Sequence, residues 1–146
     1  AARCRACALR SIGRPRVLHA LLVEDDDDHA GLVVDGLRDL ARVQHVATSD
    51  EARVVFRTLV PDVVLCDLRG TSDHDAPLLT ATGLRIALDK ACARLQMRVP
   101  LVLTSGLDPH VLDGIAGALV DVYALPKPFS RSNLRALVAR VTGVTA

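Results

Sequence analysis

From Val17 onward the chain alternates apolar runs of strand length with longer segments whose apolar residues recur at helical spacing. The runs are Val17 to Val23, Arg42 to Ala47, Asp62 to Cys66, Leu101 to Thr104 and Asp121 to Leu125. Most are nearly continuous in apolar residues, as strands are when helices cover both faces of a parallel sheet. Five repeated strand-helix units, and so an α/β domain around a five-stranded parallel sheet, are the expectation.

Helix starts carry the clearest boundary signals. Thr48-Ser49-Asp50-Glu51 reads as a capping box, Asp108-Pro109 as an N-cap followed by proline at the first helical position, and Ser130 as the cap of the last helix. Asp26 to Asp28 suit the cap and first turn of the first helix, where carboxylates complement the helix dipole. The segment Leu68 to Thr82, polar and rich in turn residues, reads instead as a long loop between the third strand and the third helix. The fourth helix, from about Pro109 to Val120, contains Gly114 and Gly117. Each interior glycine costs about 1 kcal/mol relative to alanine, so this helix should be the least stable, unless the small residues serve close packing.

Length and composition narrow the function. At 146 residues, half of them hydrophobic, the chain suits one domain with a sizeable core. Apolar runs are too short for a membrane span, and the apolar stretch near the start is broken at Arg10, too soon for a signal peptide. The expectation is therefore a cytoplasmic protein with no membrane contact. Residues 1–15 form a basic extension, expected to be flexible, and residues 16–146 the folded domain. Beyond Arg16 the chain carries 13 basic against 17 acidic side chains, a net −4. With no basic face, direct nucleic-acid binding by this domain is not expected. Cys4 and Cys7 form a C-x-x-C pair without a second pair at zinc-finger spacing, whereas Cys66 and Cys92 lie in apolar segments, as buried thiols do.

In an open parallel sheet, ligands bind beyond the carboxyl ends of the strands. Those ends carry Glu24 and Asp25 after the first strand, Asp67 after the third, Thr104 and Ser105 after the fourth, and Lys127 after the fifth. An aspartate can act as a nucleophile toward phosphorus, and a hard divalent ion such as Mg²⁺ takes carboxylate and phosphate oxygens. A lysine ammonium and a hydroxyl bind the remaining phosphoryl oxygens.

Four ordered motifs, LLVEDD, VVLCD, VPLVLTS and LPKPF, make residues 17–129 resemble the receiver domains of two-component response regulators. The resemblance implies a flavodoxin-like (βα)5 fold with strand order 2-1-3-4-5. It also implies Asp67 as phosphoacceptor, assisted by Lys127 and Thr104. Mg²⁺ would be held by Glu24 (through water), Asp25, Asp67 and the backbone carbonyl of Arg69. A cis Lys127-Pro128 bond is implied as well. A histidine kinase or histidine phosphotransfer protein would be the donor, and homodimers through the fourth and fifth helices are frequent among such domains. Such a protein is not a turnover enzyme on external substrates, although it slowly hydrolyses its own aspartyl phosphate. The chain reads either as a stand-alone regulator or shuttle or as a receiver taken from a longer protein.

The sequence also departs from that pattern. Position 71 is Thr where a proline is usual, and Gly83 is the matching glycine, which implies an insertion of roughly eight residues beside the site. Arg69 either pairs with Glu24 or the phosphoryl group, altering hydrolysis, or points to solvent. Ala124 stands where an aromatic is common, and Tyr123, one residue earlier, should face the other side of the sheet. These departures keep open a pseudo-receiver that binds partners without phosphorylation. A haloacid-dehalogenase-type phosphatase, suggested by DLRGT, would need an aspartate where Arg69 stands.

Overall fold

A computed structural model describes residues 16–68 and 75–144. The basic extension 1–15, the Cys4/Cys7 pair and Arg69 lie outside the described residues, as does the portion of the inserted segment from 69 to 74. The five strands are β1 (Leu18–Val23), β2 (Ala41–Val46), β3 (Val63–Asp67), β4 (Leu101–Ser105) and β5 (Val122–Pro126). The five α-helices are α1 (Asp27–Gly36), α2 (Ser49–Phe56), α3 (Asp75–Cys92), α4 (Pro109–Gly117) and α5 (Arg131–Thr142). All strand pairs are parallel, in the order β2-β1-β3-β4-β5.

Side-chain alternation divides the core between the two faces of the sheet. Leu21 and Val23 of β1 join Val64, Cys66, Leu101 and Leu103 beneath α2, α3 and α4. Leu18, Ala20 and Leu22 point the other way, with Val63, Leu65 and Val102, onto α1 and α5. The central strands β1, β3 and β4 are almost wholly buried, which explains why they read as uninterrupted apolar runs. At the β5 edge Ala124 packs toward the first cluster and Tyr123 toward the second, the separation that their one-residue offset requires.

Local signals set the helix starts. Asp26 caps α1, its Oδ1 accepting from the amides of Asp28 and His29 at 2.9 and 3.1 Å. Thr48 caps α2 by accepting from the Glu51 amide at 3.2 Å, while the Glu51 carboxylate reaches one residue past the cap to the Ala47 amide. Asp108 caps α4 ahead of Pro109, and Ser130 and Asn133 close a reciprocal box on α5.

The third connection is shorter than the sequence suggests, because Asp75 to Thr82 is helical and belongs to α3. Pro77 sits in the first turn, where a missing N–H costs nothing. Beyond it Ala81, Leu84, Leu88 and Cys92 recur at helical spacing and are fully buried. Polar and turn-forming residues masked that period. Gly114 and Gly117 also resolve one way: both are exposed, and a Cβ at either would meet nothing within 4 Å. Close packing is not their role, and the conformational cost stands. Among the described residues no helix is long and apolar enough to cross a membrane.

Candidate functional site

Because β1, β3, β4 and β5 are neighbours running the same way, their carboxyl ends meet at one edge of the sheet. Glu24 and Asp25 follow β1, Asp67 is the last residue of β3, Thr104 and Ser105 end β4, and Lys127 follows β5. Asp67 and Thr104 are partners in the β3–β4 ladder.

Glu24, Asp25 and Asp67 each offer a carboxylate oxygen, all within 4.8 Å of one another. Glu24 is only 3% exposed, Asp67 is half-buried and Asp25 is exposed. The Lys127 ammonium donates to Asp67 Oδ1 at 2.9 Å and lies 3.6 Å from Glu24 Oε2. Burial pushes the Glu24 carboxyl above its ordinary range, and the adjacent Asp67 charge pushes it the same way. The Asp26 amide, donating to Glu24 Oε1 at 3.2 Å, and the Lys127 charge work against that rise. Three carboxylates facing one ammonium leave negative charge in excess, and their hard oxygen donors suit a divalent cation of the Mg²⁺ type.

The backbone holds these groups by several ties. The Glu24 amide donates to Val46 at 2.9 Å, and the His45 ring pairs with the Glu24 carbonyl. The Lys127 amide donates to the Ser105 carbonyl at 2.8 Å, and the Lys127-Pro128 peptide is cis. Beneath the carboxylates lies Cys66, fully buried, its thiol pushed up to about 12 by desolvation and then by the charges of Asp67 and Glu24. A cleft of about 360 Å³ opens beside the cluster. One wall is Thr48 and Ser49 at the start of α2, and the other is Ala76, Pro77 and Thr80 of α3. The residues that lengthen α3 therefore shape the access to Asp67.

The structure thus brings together Glu24, Asp25, Asp67 and Lys127, with Thr104 buried beside Asp67; the Arg69 carbonyl lies outside the described residues. Two residues that sequence reasoning left without a role also take part. Ser105 is fully buried, and its hydroxyl donates to the Leu68 carbonyl at 2.8 Å and accepts from the Leu107 amide at 3.0 Å. His45 steadies Glu24 from the edge strand. Ser105 was visible as a second hydroxyl at a strand end, but no spacing rule separates a hydroxyl that binds backbone from one that faces a ligand. His45 gave no signal, since its partner lies on another strand.

No known family profile matches the sequence, and no curated protein is significantly similar to it. Strand order 2-1-3-4-5 with helices on both faces defines the flavodoxin-like (βα)5 class. Within that class, solved receiver domains superpose closely. A response regulator receiver protein from Sinorhizobium medicae is 18% identical with a TM-score of 0.67, over 88% of this chain and 96% of that one. The receiver domain of a sensor histidine kinase from Pseudomonas aeruginosa, solved with magnesium coordinated in its active-site cleft, is 23% identical with a TM-score of 0.61, over 88% and 99%. A response regulator from Thermotoga maritima is 15% identical with a TM-score of 0.64, over 88% and 99%. The chain has the fold of response-regulator receiver domains.

Proposed function

We propose that residues 16–146 form a phosphoacceptor receiver domain of a two-component signalling system, in which Asp67 takes up a phosphoryl group. The observation that carries this reading is the Lys127 ammonium on Asp67 Oδ1 at 2.9 Å, within a cluster of three carboxylates at converging strand ends. An Asp67 carboxylate oxygen attacks phosphorus, the P–N bond of a donor phosphohistidine breaks, and an acyl phosphate forms. The departing imidazole is protonated from water. Glu24, Asp25 and Asp67 would hold Mg²⁺, with the Arg69 carbonyl completing the set as the family resemblance implies. When bound, the ion neutralises charge on the phosphoryl oxygens.

Lys127 binds a phosphoryl oxygen, and the Thr104 hydroxyl, one strand over from Asp67, takes another. The resulting shift in population alters partner binding at the face formed by α4, β5 and α5. The partners of this cytoplasmic domain are a histidine kinase or a histidine phosphotransfer protein, with a second copy of the chain as a further partner at that face. Its chemistry is confined to its own aspartyl phosphate.

Intact mass measured after incubation with Mg²⁺ and acetyl phosphate tests the reading. The wild type should gain one phosphoryl group and Asp67→Asn none, and steady turnover of a generic phosphomonoester should be absent. Mg²⁺ alone should stabilise the wild type by about 2.7 kcal/mol at a hundredfold excess over its dissociation constant. A wild type that takes up neither phosphoryl group nor Mg²⁺ is a pseudo-receiver that binds partners without phosphorylation.

A further inference from the structure

We infer that α1 of one copy of this chain packs against α3 of another, so that copies join head to tail through an acidic face and a basic face of the same molecule. This contact is separate from the face of α4, β5 and α5 and needs no phosphoryl group. Among the described residues the two most exposed large apolar side chains are Leu79, at 69%, and Leu32, at 68%. Leu79 stands on α3 and Leu32 on α1. α3 packs with α2 and α4 on one side of the sheet, and α1 with α5 on the other. The two apolar anchors therefore lie on opposite sides of the molecule and cannot cover one another.

The charges around them are opposite in sign. On α1, Asp28 and Asp35 stand four residues before and three after Leu32, and all three are exposed on one face. Arg38 bridges to Asp35 at 2.7 Å and offsets part of that charge. The neighbouring α5 exposes Arg131 and Arg140 but no large apolar side chain, so of these two helices α1 supplies the anchor. On α3, the exposed Ile86 follows Leu79 by two turns, and the exposed Lys90 follows Ile86 by one. Between the two apolar residues a Cβ at Gly83 would stand 2.6 Å from Arg53 Nη2. Arg53 of α2 thus lies across α3 at the position that has no side chain, one turn from Leu79 and from Ile86. Exposed Arg57 adds to the positive charge and Asp50 offsets part of it. No carboxylate among the described residues pairs with Arg53 or Lys90.

Apolar burial supplies attraction between such faces, and opposite charge selects partner and register. The complement that each face needs is carried by the chain itself, which makes a second copy the occupant. Because the two faces differ, the contact is heterologous: each copy uses α1 toward one neighbour and α3 toward the next. Pairing then leaves one free face at each end, and growth continues past the dimer.

Sedimentation velocity of the 146-residue chain tests this, at concentrations up to about 1 mM so that weak pairing is captured. The mass should rise with concentration past that of two chains. It should fall between about 0.1 and about 1 M salt, as the screening length shrinks from about 10 to about 3 Å. Leu32→Lys blocks the acidic face and Leu79→Glu the basic one, and because both positions are exposed each variant should keep the wild-type circular dichroism. Asp28→Arg and Ile86→Glu take their places if either does not fold. Each variant alone should be a monomer where the wild type assembles. An equimolar mixture, in which one intact acidic face meets one intact basic face, should form dimers and nothing larger. A wild type that stays monomeric or stops at a dimer overturns the inference. So does assembly undiminished by salt or by either substitution, or a mixture that stays monomeric.

Discussion

Replacing Gly114 by alanine should make the protein more stable, and the structure supplies both sign and size. Gly114 lies inside α4, is exposed, and has open space where a Cβ would stand. Among the described glycines only Gly143 has a positive φ, so the backbone at Gly114 accepts an L residue without strain. Neither a lost contact nor a clash offsets the gain from restricting the unfolded chain, which amounts to about 0.4–1 kcal/mol. For a chain of this size 1 kcal/mol moves the melting temperature by about 2–4 °C. Gly117, the last residue of the helix, should give a smaller increment. Gly36→Ala is the contrasting variant: its Cβ would stand 3.0 Å from Cδ2 of the buried Leu134, which must give way, so the gain should be smaller than at Gly114. Calorimetry and guanidinium unfolding of the three variants provide the measurement. A melting temperature for Gly114→Ala that is unchanged or lower would refute the argument, since α4 would then need a backbone at residue 114 that alanine resists.

Two further outcomes follow from named hydrogen bonds and burial. Asp26 is held below its ordinary carboxyl range, first by the His29 amide, so its contribution is present above its unfolded value and is lost as pH falls through the lower folded one. Asp26→Ala should therefore lower the melting temperature at neutral pH more than Asp28→Ala does, with the two variants converging in strong acid. The Cys66 thiol, raised from 9.0 to about 12 by burial, stays protonated in the fold, so native protein should resist alkylation at Cys66 that denatured protein undergoes. Because its folded value lies above its unfolded one, stability should fall with rising pH from about 9, by up to about 1.4 kcal/mol per pH unit from this group. A Cys66→Ala variant with an unchanged slope in that alkaline range would sink this account.

The sequence by itself determined the elements that short-range physics encodes. Uninterrupted apolar runs marked β1, β3 and β4 because helices cover both faces of those strands, and Asp26, Thr48, Asp108 and Ser130 marked helix starts because capping needs only residues within one turn. Parity along β5 was enough to place Tyr123 and Ala124 on opposite faces. The strand-end residues Glu24, Asp25, Asp67, Thr104 and Lys127 could be named from the motifs in order. The extension of α3 to Asp75 was hidden, because a proline and polar residues in its first turns resemble a loop until burial of Ala81, Leu84 and Leu88 is seen. Only the tertiary structure decided that Lys127 reaches Asp67 across 60 residues, that His45 steadies Glu24, and that the Ser105 hydroxyl serves Leu68 rather than the cleft. Those contacts depend on strand order and register, which bring distant residues to one edge, and no local propensity of Ser105 or His45 records which backbone atom will lie beside it.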